Sequence, residues 1–287
     1  MWPKLFELRL EGLHLGLPTY GAFVALGFTA GTWLAGRSAR RQGLPEREVV
    51  DLAFWLLVAG MIGSRLLYLA IHADEYLRDC VEPSGRGAWR AIVECTRALQ
   101  IWEGGLVFYG GVLAAIPTAW WLARQRALPF FRLADLLAPS VAIAHFFGRL
   151  GCFAAGCCFG RVCDLPFGAR FPAASNPFSE LAMRGEVSWA AAATPPLHPT
   201  QLYEAFGELA IFAGLSWLAM RKRFDGQILL VYAASYAALR TVVETFRGDA
   251  GRGHLGPLST SQWVSAATFA AAALLWLRLR RRGSPSG

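Results

Sequence analysis

Residues 52–71 read LAFWLLVAGMIGSRLLYLAI, twenty positions in which Arg65 is the only formal charge. A helix rises 1.5 Å per residue, so this run covers about 30 Å, the thickness of a bilayer's hydrocarbon core. Six more runs of similar character lie at roughly 17–36, 105–123, 134–152, 201–220, 227–243 and 261–277. Ala, Gly and Leu dominate them, and small residues let helices approach closely where lipid offers no hydrophobic drive. The pattern predicts an all-α integral membrane protein, a bundle of about seven transmembrane helices. It forms one membrane domain over 1–287, with outer insertions at 72–104 and 153–200 and a disordered tail at 283–287. The N-terminal stretch is amphipathic and mixed in charge, so a separable signal peptide is not expected.

The chain carries 28 Lys and Arg against 20 Asp and Glu, a formal charge of +8. Position explains the excess. Half of the basic residues crowd into four short segments: Arg37, Arg40, Arg41 and Arg47; Arg124, Arg126 and Arg132; Arg221, Lys222 and Arg223; and Arg278, Arg280, Arg281 and Arg282. These segments alternate with longer, less basic ones, which marks them as cytoplasmic. The N-terminus is therefore expected outside and the C-terminus inside. No basic-aromatic pattern points to nucleic acid, and no nucleic-acid partner is expected.

Charge inside a membrane segment is costly enough to need a partner, water or a function. Arg65 ends the second run, Arg149 the fourth, and Arg240 and Glu244 close the sixth, while Glu204 and Glu208 open the fifth. Arg240 and Glu244 are four apart and share a helix face. All but Glu208 fall near the outer ends of their runs. Snorkelling would explain a single interfacial arginine. Three arginines with acidic partners in one layer suit a phosphate, which the guanidinium fork grips with paired hydrogen bonds. Two glycine-rich stretches flank this layer, WEGGLVFYGGV (102–112) and GRLGCFAAGCCFGR (148–161). Glycine there permits close approach of backbone to backbone or ligand.

Of six cysteines, Cys80 and Cys95 fall in the first outer insertion, where a disulfide is permitted. Cys152, Cys157, Cys158 and Cys163 follow a Cys-x4-Cys-Cys-x4-Cys spacing. This does not match the paired C-x2-C of common zinc sites, so no metal is expected and a structural or redox role is preferred.

The chain resembles the prolipoprotein diacylglyceryl transferase family along nearly its whole length. The resemblance rests on PTYGAFVALGF (18–28), GSRLLYL (63–69), WEGGLVFYGGVLAA (102–115), DLLAPSVAIAHFFGRLGCFAAGCCFGR (135–161), HPTQLYEA (198–205), YAALRTVVETFRGD (236–249) and LSTSQWVS (258–265), in that order. It implies an enzyme of the bacterial cytoplasmic (inner) membrane without a cofactor. Its reaction would move a diacylglyceryl group from phosphatidylglycerol to the lipobox cysteine thiol behind a prolipoprotein's signal peptide. By motif, Arg149 and Arg240 would hold phosphate, Glu244 would orient Arg240, Gly160 would shape the pocket and Tyr20 would offer a hydroxyl. Arg65, Gly110, Gly111, Cys152, His198, Gln201, Tyr203 and Glu204 would contact substrate or membrane lipid. The sequence departs from the family's usual residues at Tyr109-Gly110-Gly111, where His-Gly-Gly is typical. It departs again at Cys152 and Cys157, where Asn and Glu are typical. Tyr109, expected beside Arg149, is thus one candidate base, although a phenol's ordinary pKa near 10 must first be lowered. The alternatives are a base elsewhere, altered chemistry, or a hydroxyl that only donates a hydrogen bond to the lipid. Two other readings are a related headgroup transferase with a different acceptor and a non-catalytic lipid-binding membrane protein.

Overall fold

The computed structural model describes residues 4–10, 13–74, 105, 107–248 and 253–282. The remainder of the first insertion, with Cys80 and Cys95, and the tail at 283–287 lie outside these residues. In chain order the elements are β1 (Lys4–Leu10), β2 (Leu13–Pro18), α1 (Thr19–Arg41), α2 (Glu46–Ile71), α3 (Phe108–Gln125), α4 (Phe130–Ala155), α5 (Asn176–Met183), α6 (Thr200–Ala219), α7 (Gln227–Glu244), β3 (His254–Leu255), β4 (Leu258–Ser259) and α8 (Thr260–Arg282).

The described chain is mostly helical, as expected of a membrane protein. Four helices, α2, α4, α6 and α8, are long and apolar enough to cross a bilayer. The sixth run, α7, does not reach that level because Gln227, Arg240 and Glu244 fall within its 18 residues. Two small antiparallel pairs, β1 with β2 and β3 with β4, depart from the all-α expectation. The first has a local cause. Phe6, Leu8 and Leu10 alternate with Glu7 and Arg9, and Leu13, Leu15 and Leu17 repeat the period, which is that of a strand. Their register sets Leu10 opposite Leu13.

Two compact units emerge, one of Met1–Ser38 with Ala134–Gly287 and one of Ala39–Leu133. In the latter, α2 packs on α3 through glycines. A Cβ on Gly63 would lie 2.5 Å from the Gly110 carbonyl oxygen, so the backbones touch where any side chain would separate them. Arg126, just past α3, donates from Nη1 to the Glu48 carbonyl at 2.7 Å and pairs with Glu48 Oε2 at 3.2 Å and with Asp51. Pro45 precedes α2, and Glu46 and Glu48 occupy its first turn, where a carboxylate favours the positive end of the helix dipole.

In the larger unit, α1 meets α4 at Gly27 and Gly31, where a Cβ would lie 2.8 Å from the Ala144 oxygen and 2.9 Å from the Ser140 oxygen. Ala138, Ala142, Leu215 and Ile228 join α4, α6 and α7 in one buried cluster. Asp135 of α4 is buried and accepts from the Gly226 and Leu229 amides at 2.8 and 2.9 Å. It satisfies orphan donors at the start of α7. Residues 153–200 hold a separate small core of Phe159, Phe171, Leu181 and Leu197. Ser175 caps α5 there by accepting from the Phe178 amide.

Gly63→Ala is expected to destabilise the protein by about 1–3 kcal/mol, because the obstruction is backbone that cannot rotate away. Gly60→Ala, with open space around the added methyl, is expected to be neutral or slightly stabilising. Thermal unfolding in detergent separates the two, and equal midpoints would refute the close-packing account.

Candidate active site

Three helices of the larger unit present polar residues at four-residue spacing, the repeat that keeps side chains on one helix face. These are His145 and Arg149 on α4, Glu204 and Glu208 on α6, and Tyr232, Tyr236, Arg240 and Glu244 on α7. Glu204, only 1% exposed, is the meeting point. Its Oε1 accepts from Arg149 Nη2 at 2.7 Å and from the Tyr236 hydroxyl at 3.0 Å. Arg149 Nε also donates to His145 Nε2 at 3.2 Å, so the guanidinium is held from two sides. The His145 ring approaches the fully buried Glu208 at 2.7 Å through Nδ1. On α7, Arg240 pairs with Glu244 at 2.7 Å and donates to Ser261 Oγ at 3.2 Å. Its Nη1 is buried with no hydrogen-bond partner among the described residues. Tyr236 lies within the electrostatic reach of both Arg149 and Arg240.

The loop leaving α4 is pinned to the start of α6. Gly156, at φ +76°, ends α4 in the left-handed conformation that costs glycine least. Its amide donates to the Phe153 carbonyl at 3.2 Å, and the Cys157 amide reaches back to the Cys152 carbonyl at 3.1 Å. This is a Schellman cap. Thr200 Oγ1 then donates to the Cys158 carbonyl at 2.6 Å, and Gln201 Nε2 to the Cys157 carbonyl at 2.7 Å. Gly160 threads between two segments, around His198 and Phe246, its amide donating to the His198 carbonyl at 2.9 Å. A Cβ there would lie 2.5 Å from His198 Cβ and 2.7 Å from the Phe246 oxygen. His198 Nδ1 faces the Tyr203 hydroxyl at 3.0 Å. Burial, and then the Arg161 charge, holds this imidazole below its ordinary pKa.

Several candidates from the sequence therefore meet in this unit. Arg149 with Glu204, and Arg240 with Glu244, form two pairs in which the carboxylate is buried and the arginine partly so. Gln201, Gly160, His198 and Tyr203 shape the adjoining loop. Tyr20 packs on Gly151, whose Cβ would lie 3.1 Å from the phenol's Cδ2. Cys152, Cys157 and Cys158 place their sulfurs within 4.8 Å of one another, the one described group suited to a metal ion. In the smaller unit, Arg65 is buried, donates to the Gly105 carbonyl at 3.1 Å and lies over the Tyr68 ring. Tyr109, 37% exposed, meets Phe108 edge to face beside Gly110, on whose close approach to α2 the packing depends. Sequence reasoning passed over His145, Tyr236 and Thr200. The signal for the first two was the four-residue step to Arg149 and to Arg240.

The profile of the prolipoprotein diacylglyceryl transferase family matches residues 8–278. A relative from Clostridium tetani is 30% identical over 269 residues, covering 94% of each chain. One from Geobacter sulfurreducens is 32% identical over 272 residues, 93% of this chain and 91% of its own. One from Thermosynechococcus vestitus is 31% identical over 278 residues, 95% of this chain and 93% of its own. All three are named phosphatidylglycerol–prolipoprotein diacylglyceryl transferase.

Because Glu204 is buried and Arg149 mostly shielded, removing one partner leaves a poorly compensated charge. Glu204→Gln is expected to cost about 3–5 kcal/mol of stability. The double variant Glu204→Gln, Arg149→Met should recover part of that loss. Denaturant unfolding in micelles measures both, and a loss of under about 0.5 kcal/mol for the single variant would overturn the assignment.

Proposed function

The chain belongs to the prolipoprotein diacylglyceryl transferase family, and we propose that it transfers the diacylglyceryl group of phosphatidylglycerol to the lipobox cysteine of exported prolipoproteins. The observation that carries this reading is the pair of half-buried arginines, Arg149 and Arg240, each anchored by a buried carboxylate, with the buried Arg240 Nη1 left over as a donor. A donor buried without a partner is expensive, and a phosphate oxygen would satisfy it with a charge-assisted bond.

In the reaction the acceptor's thiolate attacks the glycerol carbon that bears the phosphate ester. A C–S bond forms, the C–O bond to phosphate breaks, and glycerol phosphate leaves with the electron pair. Arg149 and Arg240 take up the charge that develops on the leaving phosphate, which is where fixed donors lower the barrier most. Glu204 and Glu244 keep both forks aimed. Positions 198–204 fix the loop beside Arg149, and Tyr20 and Arg65 contribute a hydroxyl and a cation toward the lipid. The thiol proton must go to a base, because the thiolate is the nucleophile. Tyr109 is our proposal for that base, as it replaces the histidine usual at its position.

The reading also takes the seven long helices as seven spans, arranged as one membrane domain of the cytoplasmic membrane with both insertions outside. The N-terminus then lies outside and the C-terminus in the cytoplasm, an orientation that the alternating arginines support. The signal peptide and lipobox would approach from the outer face.

Expression in a strain depleted of its own transferase is expected to restore lipoprotein lipidation, read by gel shift or intact mass. Failure of the expressed, membrane-inserted protein to do so would refute the function. Arg240→Lys should lose most of the activity, because a point charge does not reproduce the fork. Tyr109→Phe should lower turnover by roughly a hundredfold or more, and unchanged turnover would remove Tyr109 from the chemistry. A C-terminal alkaline phosphatase fusion should be inactive, and an active fusion would reverse the topology.

A further inference from the structure

Three of the four clustered cysteines take no step in the transfer chemistry above, although the resemblance sets Cys152 beside substrate, and their arrangement is specific. Cys152 lies on the last turns of α4 and Cys157 two residues beyond its end. The Schellman cap joins them as the fourth residue from the helix end and the second beyond it, which this cap characteristically brings into side-chain contact. Cys158 follows at φ +62°, a left-handed conformation that is uncommon for a side chain with a Cβ and that concentrates at functional positions. Two side-chain donors, Thr200 Oγ1 and Gln201 Nε2, clamp the carbonyls of Cys158 and Cys157. The turn is therefore held by α6 as well as by its own cap.

We propose that Cys152, Cys157 and Cys158 form a binding site for one soft divalent cation of the Zn2+ and Cd2+ class. Three sulfurs at Zn–S lengths of 2.3 Å stand about 3.8–4.0 Å apart in tetrahedral or trigonal geometry. Here they already lie within 4.8 Å of one another, so closing on an ion takes less than an ångström of side-chain movement. A second observation points the same way. The Gln201 Oε1 is buried and lacks a hydrogen-bond partner among the described residues, although the same amide's Nε2 is fixed on the Cys157 carbonyl. An acceptor that can only accept suits a water carried by a cation.

Charge balance also fits. Binding releases the thiol protons and places three thiolates around a divalent ion, leaving one negative charge in excess. Arg247 lies close enough to favour that charge, while Arg149 nearby is already matched by Glu204. The C-x4-C-C spacing is not the paired C-x2-C of common zinc sites. A helix-ending cap makes residues five apart meet.

The test titrates the reduced, detergent-solubilised full chain with Cd2+ under anaerobic conditions, following thiolate-to-cadmium charge transfer in the ultraviolet. One tight equivalent per chain is expected, competed by Zn2+. It should persist in Cys163→Ser and in the double variant Cys80→Ser, Cys95→Ser. Cys157→Ser and Cys158→Ser should each weaken it by roughly a hundredfold or more. For variants that do not fold, alkylation of the unmodified chain gives the answer: one equivalent of Cd2+ should protect Cys152, Cys157 and Cys158 together. Tight binding that survives both serine variants, or protection of fewer than three, overturns the proposal. So does a non-reduced intact mass two hydrogens light with the bridge mapped to these cysteines. None of these readouts depends on transferase activity, so the site and the proposed function fail separately.

Discussion

A carboxylate with 1% of its surface exposed organises the larger unit: Glu204 receives Arg149 and Tyr236 on a single oxygen. Burying that charge alone would be prohibitive, and the arrangement persists only because the partners come with it. Each partner sits on a different helix, α4 and α7, so the pairing fixes their rotation about α6. His145 then follows from Arg149, and Glu208 lies one turn beyond Glu204 to meet it. The polar seam is a consequence of one buried acid.

The seam needs the surrounding backbone to come close. Gly207, between Glu204 and Glu208, lies against Leu239 of α7, where a Cβ would stand 2.5 Å from a leucine methyl. Gly27 and Gly31 bring α1 against α4 on the opposite flank. At the end of α4, Gly156 turns the chain sharply, and Gly160 then slips between positions 198 and 246. Small residues set the distances, and the charged residues exploit them.

Much of this was legible in the sequence, for physical reasons that differ from residue to residue. Apolar length announces a membrane helix directly, so α2 and α4 fall close to their expected runs, and the Arg240–Glu244 pair follows from helical spacing alone. His145 was harder to see. A lone histidine in an apolar run reads as core, and its importance depends on Glu208, more than sixty residues away in sequence. The α6 residues Thr200 and Gln201 were visible as a motif, but their partners are backbone carbonyls, which carry no residue-type signal. The β1–β2 pair was missed because charge and leucine alternating over so few residues were weighed as amphipathic character without its period.

The double hold on Arg149 has a thermodynamic consequence for whatever it binds. A free surface arginine must surrender rotamer freedom when it grips a ligand, at about 0.5–1.5 kcal/mol for a side chain of this length. Here His145 and Glu204 have already taken that freedom during folding. The entropy is charged to the stability of the bundle, and the bound state inherits a receptor whose shape is set in advance. Such a receptor tells one anionic group from another by the directions of its oxygens, and a ligand of equal charge but different geometry gains little from it.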